Sequence, residues 1–226
     1  MKKSALLSLL TFGLLGALAV TPAIADGVLW DNTGSGTYNP ITQSGASLSS
    51  QGWDVEPGYA VTDTFKLSSA AVVDGASFIL WVPAYNTVGS VDWSITSGIF
   101  SGTLDSGTAS LPNTYLGTDS GGDFYVLGEA ISFTGLPLGA GTYYFQLSNG
   151  ISEYDGTPDG YYVWWDESDG SSLAYQSVSL DPFLIPSETF QILGEYDNVT
   201  PEPSSFLLLG SGLAGLAGLI KRKLAA

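Results

Sequence analysis

Between Asp26 and Thr200 no stretch keeps the apolar period of a helix, while short alternating segments recur with turn residues between them. A chain patterned in this way has to bury its apolar residues by stacking sheets, since it has no helices to cover a parallel sheet. Tyr59–Leu67 sets Val61, Phe65 and Leu67 on one face and Thr62, Thr64 and Lys66 on the other. Residues 76–82 are apolar on both faces, as in a central strand covered on both sides. Val91, Trp93 and Ile95 alternate with Asp92, Ser94 and Thr96, and residues 142–148 place Tyr143, Phe145 and Leu147 opposite Tyr144, Gln146 and Ser148. Further strands are expected at 124–127 and 130–133, separated by Gly128-Glu129, and at 161–165, 173–178 and 189–193.

Asp74-Gly75, Asn149-Gly150, Asp159-Gly160 and Asp169-Gly170 each tolerate positive φ and are read as turns. Eight or nine short strands in one domain predict an all-β fold, an antiparallel β-sandwich of jelly-roll type over residues 26–198. Residues 26–52 are looser and more polar, an N-terminal arm or an extra edge strand. Residues 196–203 read as a tether.

Charge narrows the partners. Of 22 acids only Glu202 lies beyond Thr200, and of six bases only Lys66 lies between Asp26 and Thr200, so this middle region holds 21 acids, one base and a formal charge of −20. Such a surface repels nucleic acid, whose binding needs Lys and Arg against phosphate. There is no cysteine and no histidine, which removes disulfides, thiolate or histidine metal sites, and Ser-His-Asp or Cys-His nucleophile systems. A chain of this length buries a single core without such staples.

The two ends carry addresses. Lys2 and Lys3, an apolar run over 5–20 and Ala23-Ile24-Ala25 form a secretory signal peptide over residues 1–25, cut by signal peptidase between Ala25 and Asp26. At the other end Pro201-Glu202-Pro203 precedes an uncharged stretch over 204–220, followed by the basic stop Lys221-Arg222-Lys223. Seventeen residues lie at the low end of what a membrane-spanning helix requires. Bases flanking both hydrophobic segments hold both ends in the cytoplasm and place the acidic middle outside. An acidic proline-flanked motif, an apolar segment and a basic stop, in this order over 199–226, resemble the PEP-CTERM sorting signal of Gram-negative bacteria. The resemblance implies recognition by an exosortase, transient anchoring in the inner membrane, and delivery to the cell surface or extracellular matrix. The stretches 139–147, 163–170 and 185–190 are similar to a recurrent sandwich passenger of that family, to which no activity is attached.

Within the passenger, Tyr162, Trp164 and Trp165 form the candidate glycan contact. If they lie on a strand, Trp164 and Trp165 point to opposite faces, one into the core and one towards solvent. An outward Trp beside Asp166 and Glu167 would suit a sugar, the ring stacking on a pyranose and the carboxylates accepting from hydroxyls. The alternative is that both rings only cover the sheet. Asp166, Glu167 and Asp169 could also supply oxygens to calcium, although D-E-x-D-G is not an EF-hand spacing. No other cofactor is expected. The leading expectation is a non-enzymatic, structural or matrix-associated exported protein. A carbohydrate-binding module on extracellular polysaccharide is the second, and a glycosidase with paired carboxylates the third.

Overall fold

The computed structural model describes residues 27–33, 52–119, 121–160, 162–178 and 181–197. These residues hold fourteen strands and no helix, and so no helix long and apolar enough to cross a membrane. The signal peptide with Ala25 and Asp26, the Pro201-Glu202-Pro203 motif, the apolar segment 204–220 and the basic stop 221–223 lie outside the described residues.

Two antiparallel sheets form the body. In the first, β1 (Gly27–Asp31) pairs with β14 (Phe190–Tyr196), and β14 with the long β4 (Ala71–Pro83). On the other edge of β4 run β8 (Phe124–Leu138) and then β7 (Thr114–Thr118). Beyond the start of β14, β11 (Trp164–Asp166) pairs with the last part of β4 and carries β2 (Gly52–Asp54) on its outer side. The second sheet runs β13 (Asp181–Ile185), β12 (Ala174–Val178), β3 (Tyr59–Leu67), β9 (Gly141–Tyr154), β5 (Thr87–Gly98) and β6 (Ser101–Ser110), with β10 (Thr157–Pro158) turned back on β9. Eight of these strands, β1-β14-β4-β8 facing β3-β9-β5-β6, have the order and chain path of a jelly roll.

The sheets close on an aromatic centre. Phe145 of β9 meets Phe78, Trp165 and Phe190 of the opposite sheet, with ring centroids 5.9, 5.6 and 5.8 Å away. All four rings are fully buried. Burying a ring of this kind contributes on the order of 1.5–3 kcal/mol for each Phe and somewhat more for the Trp, so this cluster locks the two sheets face to face. Val61, Phe65 and Leu67 are buried on β3 while Lys66 is exposed, as the alternation predicts.

Three sequence expectations change. Asn149-Gly150 is not a turn but a bulge inside β9, where two residues stand against Val91 alone, between the pairs Ser90–Ile151 and Asp92–Ser148. Asn149 supplies the positive φ (50°) that the bulge needs. Asp74-Gly75 likewise lies within β4, at its register shifts against β8 and β14. The break expected at Gly128-Glu129 is absent, because β8 runs straight through it with Glu129 paired to Phe78 and facing inwards. β6 escaped the reading altogether, since its Ser, Gly and Thr residues show no apolar alternation.

Candidate functional site

β11 sorts the predicted aromatic residues by face. Trp165 is 0 % exposed and packs on Phe78, Phe145 and Phe190, with its indole N–H given to the Thr189 carbonyl at 3.0 Å. Trp164 points outwards beside Trp81 and Val126, the residues level with it on β4 and β8. It is half-buried. Tyr162, 51 % exposed, stacks on it with planes 16° apart and centroids at 5.4 Å. Phe124 packs on it at 4.7 Å, and its indole N–H is held by Asp54. Trp164 is thus engaged by two neighbouring rings and by a carboxylate. The part of the cluster most open to a flat ligand is the Tyr162 ring.

The three residues weighed for calcium are not gathered about one point. Asp166 is buried and accepts from Trp81 Nε1 at 2.8 Å and Thr189 Oγ1 at 2.9 Å. Glu167 accepts from Trp53 Nε1 at 2.8 Å, and Asp169 is exposed. Among the described residues no three acidic side chains form a ready metal site. Burial raises Asp166 to about 7, against the hydrogen bonds of Thr189 and Trp81 that hold it down.

A different knot of polar groups sits between the sheets. Asp63 points inwards from β3, in line with Val61 and Phe65. Its carboxylate accepts from Thr64 N (2.6 Å), Glu188 N (2.7 Å), Ser172 Oγ (2.8 Å), Ser187 Oγ (3.3 Å) and Asn32 Nδ2 (3.3 Å). Opposite it stands Glu188, two residues before the core ring of Phe190 and bridged to Glu167. Glu188 is 0 % exposed and neither of its carboxylate oxygens has a hydrogen-bond partner. Burial, then the charges of Asp63, Asp166 and Glu167, push its carboxyl well above the usual range. Burial also raises Asp63 to about 6, with the hydrogen bonds from Glu188 N, Ser172, Thr64 N and Ser187 pulling the other way. Lys66, the only base in this part of the chain, is exposed on β3.

The terminal segment is decided by comparison. Residues 199–223 match the family model described as the PEP-CTERM protein-sorting motif. The chain carries a PEP-CTERM sorting motif. The match supports an exported exosortase substrate, anchored in the membrane during sorting to the cell surface, and the β-rich passenger fits that reading. No curated protein matches the chain. The sorting motif was legible because it is a contiguous run. The knot around Glu188 was not, since Asn32, Asp63, Ser172 and Glu188 are brought together from four distant segments. The one signal in the sequence was an acid at 188 alternating with the apolar residues 190 and 192.

Proposed function

We propose that this chain is a non-enzymatic exported protein that exosortase processing delivers to the cell surface or exopolysaccharide matrix, where the sandwich has a structural role. The observation that carries the proposal is the PEP-CTERM sorting motif over residues 199–223. Pro201-Glu202-Pro203 serves recognition, the apolar segment retention, and Lys221-Arg222-Lys223 stopping and orientation. The aromatic cluster around Trp164 supports a structural role because its rings pack on one another. Replacing Glu202 with Ala and following mass and location in cells tests the sorting role. The expected result is an uncleaved, membrane-retained protein; unchanged processing and surface delivery would overturn it.

Exposure of Tyr162 favours one second reading, a weak carbohydrate-binding surface. Here Tyr162 supplies the stacking face and Trp164 supports it from behind. Pull-down on matrix polysaccharide should then be lost in Tyr162→Ala. Binding that survives the loss of this ring would remove the reading, and turnover of the polysaccharide would instead favour a glycosidase.

A further inference from the structure

Around the Asn32 side-chain nitrogen stand four oxygens from four places in the chain: Ser187 Oγ at 2.6 Å, the Glu188 carbonyl at 2.6 Å, Ser172 Oγ at 2.7 Å and Asp63 Oδ2 at 3.3 Å. A carboxamide nitrogen has two hydrogens to offer, so it can satisfy only two of the four with direct bonds. The hydroxyls of Ser172 and Ser187 also touch each other across this point. A convergent shell of a carboxylate, a backbone carbonyl and two hydroxyls is poorly matched to an amide. It is well matched to a hard cation, which takes six to eight oxygens of mixed kind.

A second, independent observation comes from Glu188. Its carboxyl is fully buried, both oxygens are unpartnered, and it lies among the charges of Asp63, Asp166 and Glu167 with no base beside it. A buried carboxylate in this state is retained only when something positive or a proton neutralises it. When both are ionised, Asp63 and Glu188 carry two negative charges, which one divalent ion would balance in place of a proton.

We propose that the cage formed by Asn32, Asp63, Ser172, Ser187 and Glu188 binds a calcium ion that ties β1, β3 and the segments before β12 and β14 together. In the bound form the Asn32 amide turns to present Oδ1, and the ion takes the centre that Nδ2 fills. Asp63, the Glu188 carbonyl and the two serine hydroxyls supply the remaining oxygens, and the Glu188 carboxylate completes the charge. Asp63 is the one carboxylate in contact with the centre, and Glu188 reaches it through its backbone carbonyl. Magnesium, which holds its own waters and demands a small octahedral site, fits this mixed cage less well. The site depends on the folded sandwich and not on the role proposed for it outside the cell.

The test is thermal unfolding of the exported protein recovered from cells, in EGTA and in increasing CaCl2 or MgCl2, with calorimetric titration of CaCl2. At free calcium a hundredfold above its Kd the midpoint should rise by about 5–10 °C, with a much smaller rise in magnesium. Glu188→Gln should weaken calcium binding at least tenfold without lowering the midpoint in EGTA. Asn32→Asp should be destabilised in EGTA and recovered by calcium. Equal midpoints in EGTA and 5 mM CaCl2 with no binding heat would overturn the site. So would full calcium affinity in Glu188→Gln, or an Asn32→Asp protein that calcium does not recover. Mislocalisation of a calcium-binding protein would count against the proposed function and leave the site intact.

Discussion

Glu129 should make the sandwich weaken as pH rises. It is 1 % exposed, facing inwards from β8 opposite Phe78, and its single partner is the Asn113 N–H, 3.0 Å from Oε2. Oε1 has no partner. Burial lifts the carboxyl from its ordinary 4.5 to about 8, with the Asn113 bond opposing. Unfolded, the group loses its proton near 4.5, whereas folded it keeps it until about 8. Between these values the unfolded chain binds fewer protons, so stability is greatest below 4.5, falls across the window and levels off above 8. At about 1.4 kcal/mol per pH unit the full loss is on the order of 5 kcal/mol, a large share of the roughly 5–15 kcal/mol that holds a domain folded. Glu129→Gln keeps the shape and cannot ionise. Urea unfolding of both proteins from pH 4 to 9 at constant ionic strength should show near-equal stability at pH 4. At pH 9 the variant should be the more stable by several kcal/mol. Stability profiles that run parallel over the whole range would refute the reasoning, whatever the other buried acids contribute to both.

Other expectations follow from packing and backbone geometry. Trp165→Ala empties the aromatic centre and should cost about 3–5 kcal/mol in urea unfolding, whereas Tyr162→Ala should cost less than about 1 kcal/mol; similar losses for the two would contradict the assignment of faces. Gly194 has φ +146° and an added Cβ would stand 2.1 Å from the Val72 carbonyl oxygen, while Gly117 has open space around it. Gly194→Ala should therefore lose at least about 2 kcal/mol and Gly117→Ala almost nothing, as judged by their urea midpoints.

Strand-level structure was legible wherever one face is apolar. β3 begins and ends where the alternation of Val61, Phe65 and Leu67 against the threonines places it, because a half-buried strand repeats every two residues. β6 was illegible for the converse reason: it is an exposed edge strand of Ser, Gly and Thr, held by its pairing to β5 and not by buried side chains. The Gly-containing pairs misled in one direction. A residue pair that tolerates unusual backbone serves turns and strand irregularities alike, so Asn149-Gly150, with Asn149 at φ 50°, and Asp74-Gly75, at a register shift without positive φ, announced a kink without saying whether the chain reverses. Opposite faces for Trp164 and Trp165 followed from periodicity, but the ring of Phe124 that packs on Trp164 comes from forty residues away. The sorting motif needed no fold at all. The Asn32–Glu188 knot needed all of it.

β1 and β14 lie side by side and antiparallel, with Gly27 opposite Gly194. The first described residue after the signal peptide and the last strand before the sorting motif therefore leave the domain at the same pole. A jelly roll with both ends at one pole can complete its fold while still joined at both termini, because neither end has to be threaded through the other. Processing at one terminus would then leave the other terminus and the finished fold undisturbed.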